Sequence, residues 1–169
     1  MIMNKIIITG PESSGKTTLS NALKKYFNTF LVTEYSREYI DQLNSKYKYE
    51  DLLKIAKQQL KNEDNTQLTT PIICDTDLIT IKIWSEYKYS KCESWILQHI
   101  KKQQNESRFY LLCKPDIKWK YDPQRENQFD RKVVFDIYKK ELEALNHQYF
   151  VIDNGDRLKK AINAIKKII

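Results

Sequence analysis

A chain of 169 residues with 41% hydrophobic and 30% charged side chains is long enough to bury one core and too apolar to be disordered. Its longest apolar runs fall far short of the roughly 20 residues of a membrane span, and Met1-Ile2-Met3-Asn4-Lys5 carries no signal-cleavage pattern, so a soluble cytoplasmic protein is expected. The formal charge of +7 invites an anionic partner, yet the lysines are spread over every predicted helix instead of one stripe; acidic small molecules are expected, and nucleic acid is not.

The first predicted strand, residues 4–9, runs into Gly10-Pro11-Glu12-Ser13-Ser14-Gly15-Lys16-Thr17, and a helix follows from Lys16 to Phe27 with Leu19 and Leu23 on one face. Strand, glycine loop and helix start form the context in which G-x-x-x-x-G-K-[ST] cradles phosphate. Two of the chain's three glycines, Gly10 and Gly15, hold the fixed positions that let successive N–H groups turn inward. Glu12, Ser13, Ser14, Thr18 and the helix dipole complete the expected nucleotide cradle. Lys16 is suited to the β- and γ-phosphates as a mobile point charge, and the Thr17 hydroxyl to Mg²⁺, so a bound nucleoside triphosphate with Mg²⁺ is implied.

A short second strand, residues 30–33, ends in Glu34-Tyr35-Ser36-Arg37-Glu38-Tyr39. After a polar stretch, Leu52, Ala56 and Leu60 mark a helix over residues 50–63. Pro71 opens a buried strand, Ile72-Ile73-Cys74, that ends at Asp75-Thr76-Asp77. Over residues 78–89 two periods compete: Ile79, Ile81 and Ile83 alternate, while Leu78, Ile81 and Trp84 keep helical spacing. The capping chemistry of residues 75–77 decides for a helix. A further helix at 93–103 leads to a strand at 109–113, then an irregular charged loop to about residue 130. Val134, Tyr138, Leu142 and Leu145 predict the next helix, residues 149–152 the fifth strand, and Leu158, Ala161, Ile162 and Ile165 the last helix.

Five short apolar strands alternating with helices predict one α/β domain over residues 1–169: a three-layer P-loop NTPase fold around a five-stranded parallel sheet. Ligands in such sheets collect at the carboxyl ends of the strands, which nominates the loops just named. Asp75 is placed to hold Mg²⁺, directly or through water, or else to cap the following helix. Asp77 is a candidate for the acceptor hydroxyl or the catalytic base, and Glu34 a second candidate base; the sequence leaves these three carboxylates unseparated. The loop over about 114–131 is long enough to be a lid, and its Arg125 and Arg131 are candidates to offset charge on a transferring phosphoryl group. Trp84 and Trp119 are candidates for stacking on a substrate, with Tyr35 and Arg37 as further acceptor contacts; Tyr87 is weighed for the same role and not nominated. In a lysine-rich chain each of the five arginines suggests a need for a bidentate fork, although Arg108 and Arg157 are expected at the surface. Cys74, Cys92 and Cys113 fit buried thiols in a reducing compartment, with no zinc-site spacing.

Residues 8–19 (Ile-Thr-Gly-Pro-Glu-Ser-Ser-Gly-Lys-Thr-Thr-Leu), 33–39 (Thr-Glu-Tyr-Ser-Arg-Glu-Tyr), 75–77 (Asp-Thr-Asp) and 115–125 (Pro-Asp-Ile-Lys-Trp-Lys-Tyr-Asp-Pro-Gln-Arg) together resemble one family. It is the nicotinamide riboside kinase domain of the bacterial NadR proteins, with its stand-alone P-loop ATPase or kinase-like relatives. The resemblance runs through nearly the whole chain in the family's order, and departs from it at Pro123, where a glycine is expected. It implies transfer of the ATP γ-phosphate to the 5′-hydroxyl of nicotinamide riboside. Lys16 and Thr17 then serve ATP and Mg²⁺, Asp75 and Asp77 are the strand-end carboxylates, and Arg125 is the lid arginine. The alternatives kept open are a kinase for another nucleoside or nucleotide, and an ATPase switch with a macromolecular partner.

Overall fold

The computed structural model describes residues 5–65 and 71–169. Its centre is strand β1 (Lys5–Thr9), whose four residues from Ile6 onward are buried. The other strands are β2 (Leu31–Val32), β3 (Ile72–Asp75), β4 (Arg108–Cys113) and β5 (Gln148–Ile152). They form one parallel sheet in the order β2-β3-β1-β4-β5, with Ile8 level with Asp75 on one side and with Leu111 on the other. Parallel strands need crossovers, and among the described residues seven helices supply them: α1 (Lys16–Phe27), α2 (Tyr35–Asp41), α3 (Tyr49–Asp64), α4 (Leu78–Tyr89), α5 (Ser94–Gln103), α6 (Arg131–Ala144) and α7 (Arg157–Ile165).

The two-residue period of a strand explains the layers. Ile6 and Ile8 face one side and pack with Leu19 and Leu23 of α1 and Ala161 and Ile165 of α7. Ile7 faces the other, under α3, α4, α5 and α6, beside Cys74, Tyr110 and Leu112. With both faces covered, the central strands read as continuous apolar runs. This is the expected three-layer P-loop fold. Among the described residues no helix is long and apolar enough to cross a membrane.

Three local expectations need correction. Residues 35–41 form helix α2, where the sequence suggested loop. The side chain of Gln59, buried on α3, accepts the Tyr35 N–H at 2.8 Å and so starts that helix from outside its own segment. Arg108 is not a surface residue: it is 3% exposed, because carboxylates of Glu63 and Asp77 converge on its guanidinium from α3 and the β3–α4 corner. Arg157 likewise folds inward, donating to the Ser14 carbonyl at 2.6 Å. The doubtful segment at 78–89 is the helix α4; it is walled by α3, α5 and α6, and burial on several sides left two apolar periods in one stretch.

Candidate active site

The phosphate loop leaves β1 through Gly10, whose φ of 131° suits glycine, and a Cβ there would lie 2.5 Å from the Cys113 carbonyl oxygen. Ser13 (φ 51°) and Gly15 (φ 83°) are also left-handed, which turns the chain around a concave row of amides. Ser14 Oγ donates to the Pro11 carbonyl at 2.7 Å and fastens the loop across its base. Lys16 arches back over it, with Nζ donating to the carbonyls of Gly10 and Pro11 at 2.9 and 2.8 Å. Among the described residues no side chain caps α1 at Gly15, so its first amides remain available to an anion.

Asp75 ends β3 beside this loop. It is 3% exposed, and its Oδ1 has no hydrogen-bond partner among the described residues. Burial raises its carboxyl to about 6, helped by the charge of Glu34 and opposed by Lys16, a hydrogen bond with Thr17, and Arg37. A buried unpartnered carboxylate oxygen next to a threonine hydroxyl suits a hard cation that takes oxygen ligands, so these residues fit Mg²⁺. The described residues contain no group of three acidic, His or Cys side chains able to hold a metal alone. Phosphate and water would have to complete the coordination shell.

Beyond the loop opens a cavity of about 400 Å³. Its far wall comes from α4 (Thr80, Ile83, Trp84, Tyr87), α6 (Val134, Tyr138) and α2 (Arg37, Ile40), and residues 124–127 roof it. The cations that α2 and α4 supply are already paired. Arg37 meets Asp122 at 2.9 Å and Glu34 at 3.8 Å, while Lys88 meets Glu126 at 2.7 Å. Trp84 is fixed by its Nε1, which donates to Tyr47 Oη at 3.0 Å. The roof is latched to the phosphate loop: Glu12 Oε2 accepts the N–H groups of Glu126 and Asn127 at 2.9 and 2.8 Å.

Of the residues nominated from sequence, the structure gathers Gly10 to Thr18, Glu34, Arg37, Trp84 and Arg125 around this cavity, with Asp75 beside Thr17; Tyr87, weighed and not nominated, joins them. Others lie elsewhere. Asp77 is fully buried and bonded to the Ile79 N–H, Tyr110 and Arg108, so it caps α4 and does not face an acceptor. Tyr35 packs on Tyr39 against the core. Trp119 lies near the guanidinium groups of Arg125 and Arg131, at 5.9 and 5.5 Å, instead of lining the cavity. Arg131 donates to the carbonyls of Ser13 and Ile117 and so braces the loop. Sequence reasoning missed Thr80, Lys88, Gln124 and Tyr138, and also Arg157, whose second nitrogen reaches the Lys114 carbonyl at 2.7 Å. The arginine-for-lysine argument, carried to Arg157 and Arg108, would have found both.

Comparison with known proteins bears on the family and the fold. A family model described as an AAA domain matches residues 5–160. The trifunctional NAD biosynthesis/regulator protein NadR of Salmonella typhimurium is 26% identical over 177 residues, covering 97% of this chain and 42% of that protein. The resemblance to NadR read from the motifs therefore holds, and the chain spans less than half the length of that relative. Among solved structures, NadR in complex with NR superposes with a TM-score of 0.75 at 18% identity, over 99% of this chain and 52% of that one. Deoxyadenosine kinase from M. mycoides gives 0.62 at 16% identity, over 97% and 100%. At such identities the structural matches establish the fold.

Proposed function

The chain belongs to the AAA domain family, and from that premise we propose that it is an ATP-dependent kinase that phosphorylates the 5′-hydroxyl of nicotinamide riboside. The carrying observation is the charge balance of the cavity's far wall, away from the phosphate loop. It joins a phosphate loop to an aromatic wall on which Arg37 and Lys88 are each held by carboxylates. A nucleoside monophosphate acceptor would need unpaired cations there. A nucleoside needs a flat apolar slot and a carboxylate for its hydroxyl, which Trp84, Tyr87 and Glu34 supply. The NadR relative solved with NR favours that nucleoside over others.

In this reading the loop amides and Lys16 hold the ATP phosphates, and Lys16 follows the charge that develops on the γ-phosphoryl group. Thr17 and Asp75 would hold Mg²⁺, which would supply positive charge to offset that of the phosphates. Glu34 orients the acceptor hydroxyl and takes its proton as the oxygen attacks phosphorus; the bond to the β–γ bridging oxygen breaks and ADP leaves. Arg125, on the roof, stabilises the same transition state. The test compares phosphoryl transfer from ATP to nicotinamide riboside, common nucleosides, nucleoside monophosphates and water. Preference for nicotinamide riboside is expected. Preference for a monophosphate would remove the charge argument, and equal ATP turnover with every acceptor and with none would end the kinase reading.

A further inference from the structure

Thr76 stands between the two carboxylates of the β3–α4 corner with φ of 69° and is 2% exposed. A β-branched residue in left-handed backbone is strained, and such strain persists only where the surroundings over-determine it. On its N-terminal side the surroundings are the sheet: Asp75 is in register with Ile8, whose carbonyl accepts the Thr76 N–H at 3.0 Å. On its C-terminal side is Asp77, with both oxygens engaged. Oδ1 takes the Ile79 N–H at 3.1 Å, and Oδ2 takes Tyr110 Oη at 2.7 Å and Arg108 Nη2 at 3.0 Å. Arg108 is anchored in turn by Glu63 at 2.5 Å and Glu106 at 2.9 Å, and Lys5 bridges the same two acids at 2.7 and 3.0 Å. This buried cluster ties together α3, α4, β1 and β4.

Buried ion pairs are a poor route to stability, since packed apolar side chains of similar volume would serve as well. They do fix geometry, and the group at the end of this cluster is Asp75. We infer that Asp77, clamped by Arg108 and Tyr110, is a positioning residue that holds Thr76 in its left-handed conformation and thereby aims the Asp75 carboxylate at Thr17. The inference rests on the reading of Asp75 as the Mg²⁺-side carboxylate. It assigns Asp77 a role through its neighbour and none in contact with substrate.

The test uses Asp77→Asn and Tyr110→Phe, each alone and combined with Thr76→Gly. Asparagine keeps an oxygen for the Ile79 cap but turns an NH₂ toward two donors; the phenylalanine removes one hydroxyl and keeps the ring. Two readouts are taken: hydrogen exchange at the residue-76 amide, and the affinity of a fluorescent ADP with and without Mg²⁺. Both single variants are expected to speed exchange at residue 76 about tenfold relative to the amides of β1. The Mg²⁺-dependent gain in ADP affinity should fall by about tenfold while Mg²⁺-free affinity holds. Glycine at 76 adopts the positive φ without the clamp, so the double variants should recover both readouts. Exchange at residue 76 that merely tracks the rest of the protein, or a glycine that rescues neither readout, would overturn the inference. Should Asp77→Asn not fold, Tyr110→Phe carries the test. Failure of the native protein to bind ADP would strike the kinase reading, and the exchange readout would still decide the clamp.

Discussion

Glu34 sits at the N-cap of α2, yet among the described residues its side chain bonds no backbone amide there. Gln59 has taken over the start of that helix, which leaves the Glu34 carboxylate facing the cavity, with Arg37 at 3.8 Å and its charge felt by Asp75. That separates it from Asp75, buried beside Thr17, and from Asp77, enclosed by donors. Glu34→Gln is therefore expected to lower kcat by about 10²–10⁴, the usual worth of a general base. KM for ATP should stay within about twofold, because no contact with the nucleotide is lost. Steady-state kinetics with nicotinamide riboside measure both quantities. A rise in KM for the riboside at constant kcat would make Glu34 a binding group instead. The three carboxylates looked alike in the sequence because each follows a strand; what divides them is donors from α3 and β4, more than 20 residues away along the chain.

Elements show the same pattern of what local sequence can carry. The strands, α1 and α4 were legible, since apolar period and glycine placement are local signals. Helix α2 was not, because a side chain of another helix starts it. Helix α3 is the contrasting case: Asp51, in its first turn, accepts the Lys48 N–H at 2.8 Å, Tyr39 Oη at 2.8 Å and Lys54 Nζ at 3.0 Å. The Lys48 amide first, then the hydroxyl and the ammonium, hold its carboxyl down to about 2. Asp51→Ala should cost about 1 kcal/mol, measured by chemical denaturation. Because the folded pKa is depressed, that contribution is present above the ordinary 3.8 and lost as pH falls through about 2. The gap between native and variant stability should therefore close in acid; a gap that widened there would reject the assignment. The loop over residues 114–130 makes the complementary case. Its length and charge were visible in sequence, but its latch was not, since Glu12 looked like a phosphate-loop residue and instead accepts the amides of Glu126 and Asn127. Glu12→Ala should speed hydrogen exchange at residues 126 and 127 and raise KM for the acceptor several-fold, with the fold retained. Unchanged exchange at those two amides would show that the loop holds its place without the latch.

At the scale of the whole molecule, the sheet order β2-β3-β1-β4-β5 sets the phosphate strand in the middle and sends its loops to one edge. Three arginines then converge on that edge from segments far apart in sequence. Arg131 holds the Ser13 carbonyl, Arg157 the Ser14 carbonyl, and Arg37 reaches Asp122 in the 114–130 loop. The first two join α6 and α7 to the phosphate loop, and the third joins α2 to the segment that Glu12 latches to it, so an anion gripped there should stabilise the entire fold and not merely its own surroundings. A ligand that binds only the folded state at 100 times its Kd adds about 2.7 kcal/mol, which for a chain of this size raises the melting temperature by about 5–10 °C. A non-hydrolysable ATP analogue with Mg²⁺ should produce such a shift in a thermal melt. Lys16→Ala should abolish the shift and the turnover while leaving the unliganded melting temperature near native, because among the described residues the Lys16 ammonium donates to carbonyls of its own loop. If the variant melted far below the native protein without ligand, Lys16 would be holding the loop together. If it kept the full shift, the triphosphate would bind at another place, and the catalytic roles of Glu34 and Asp75 would fall with the site.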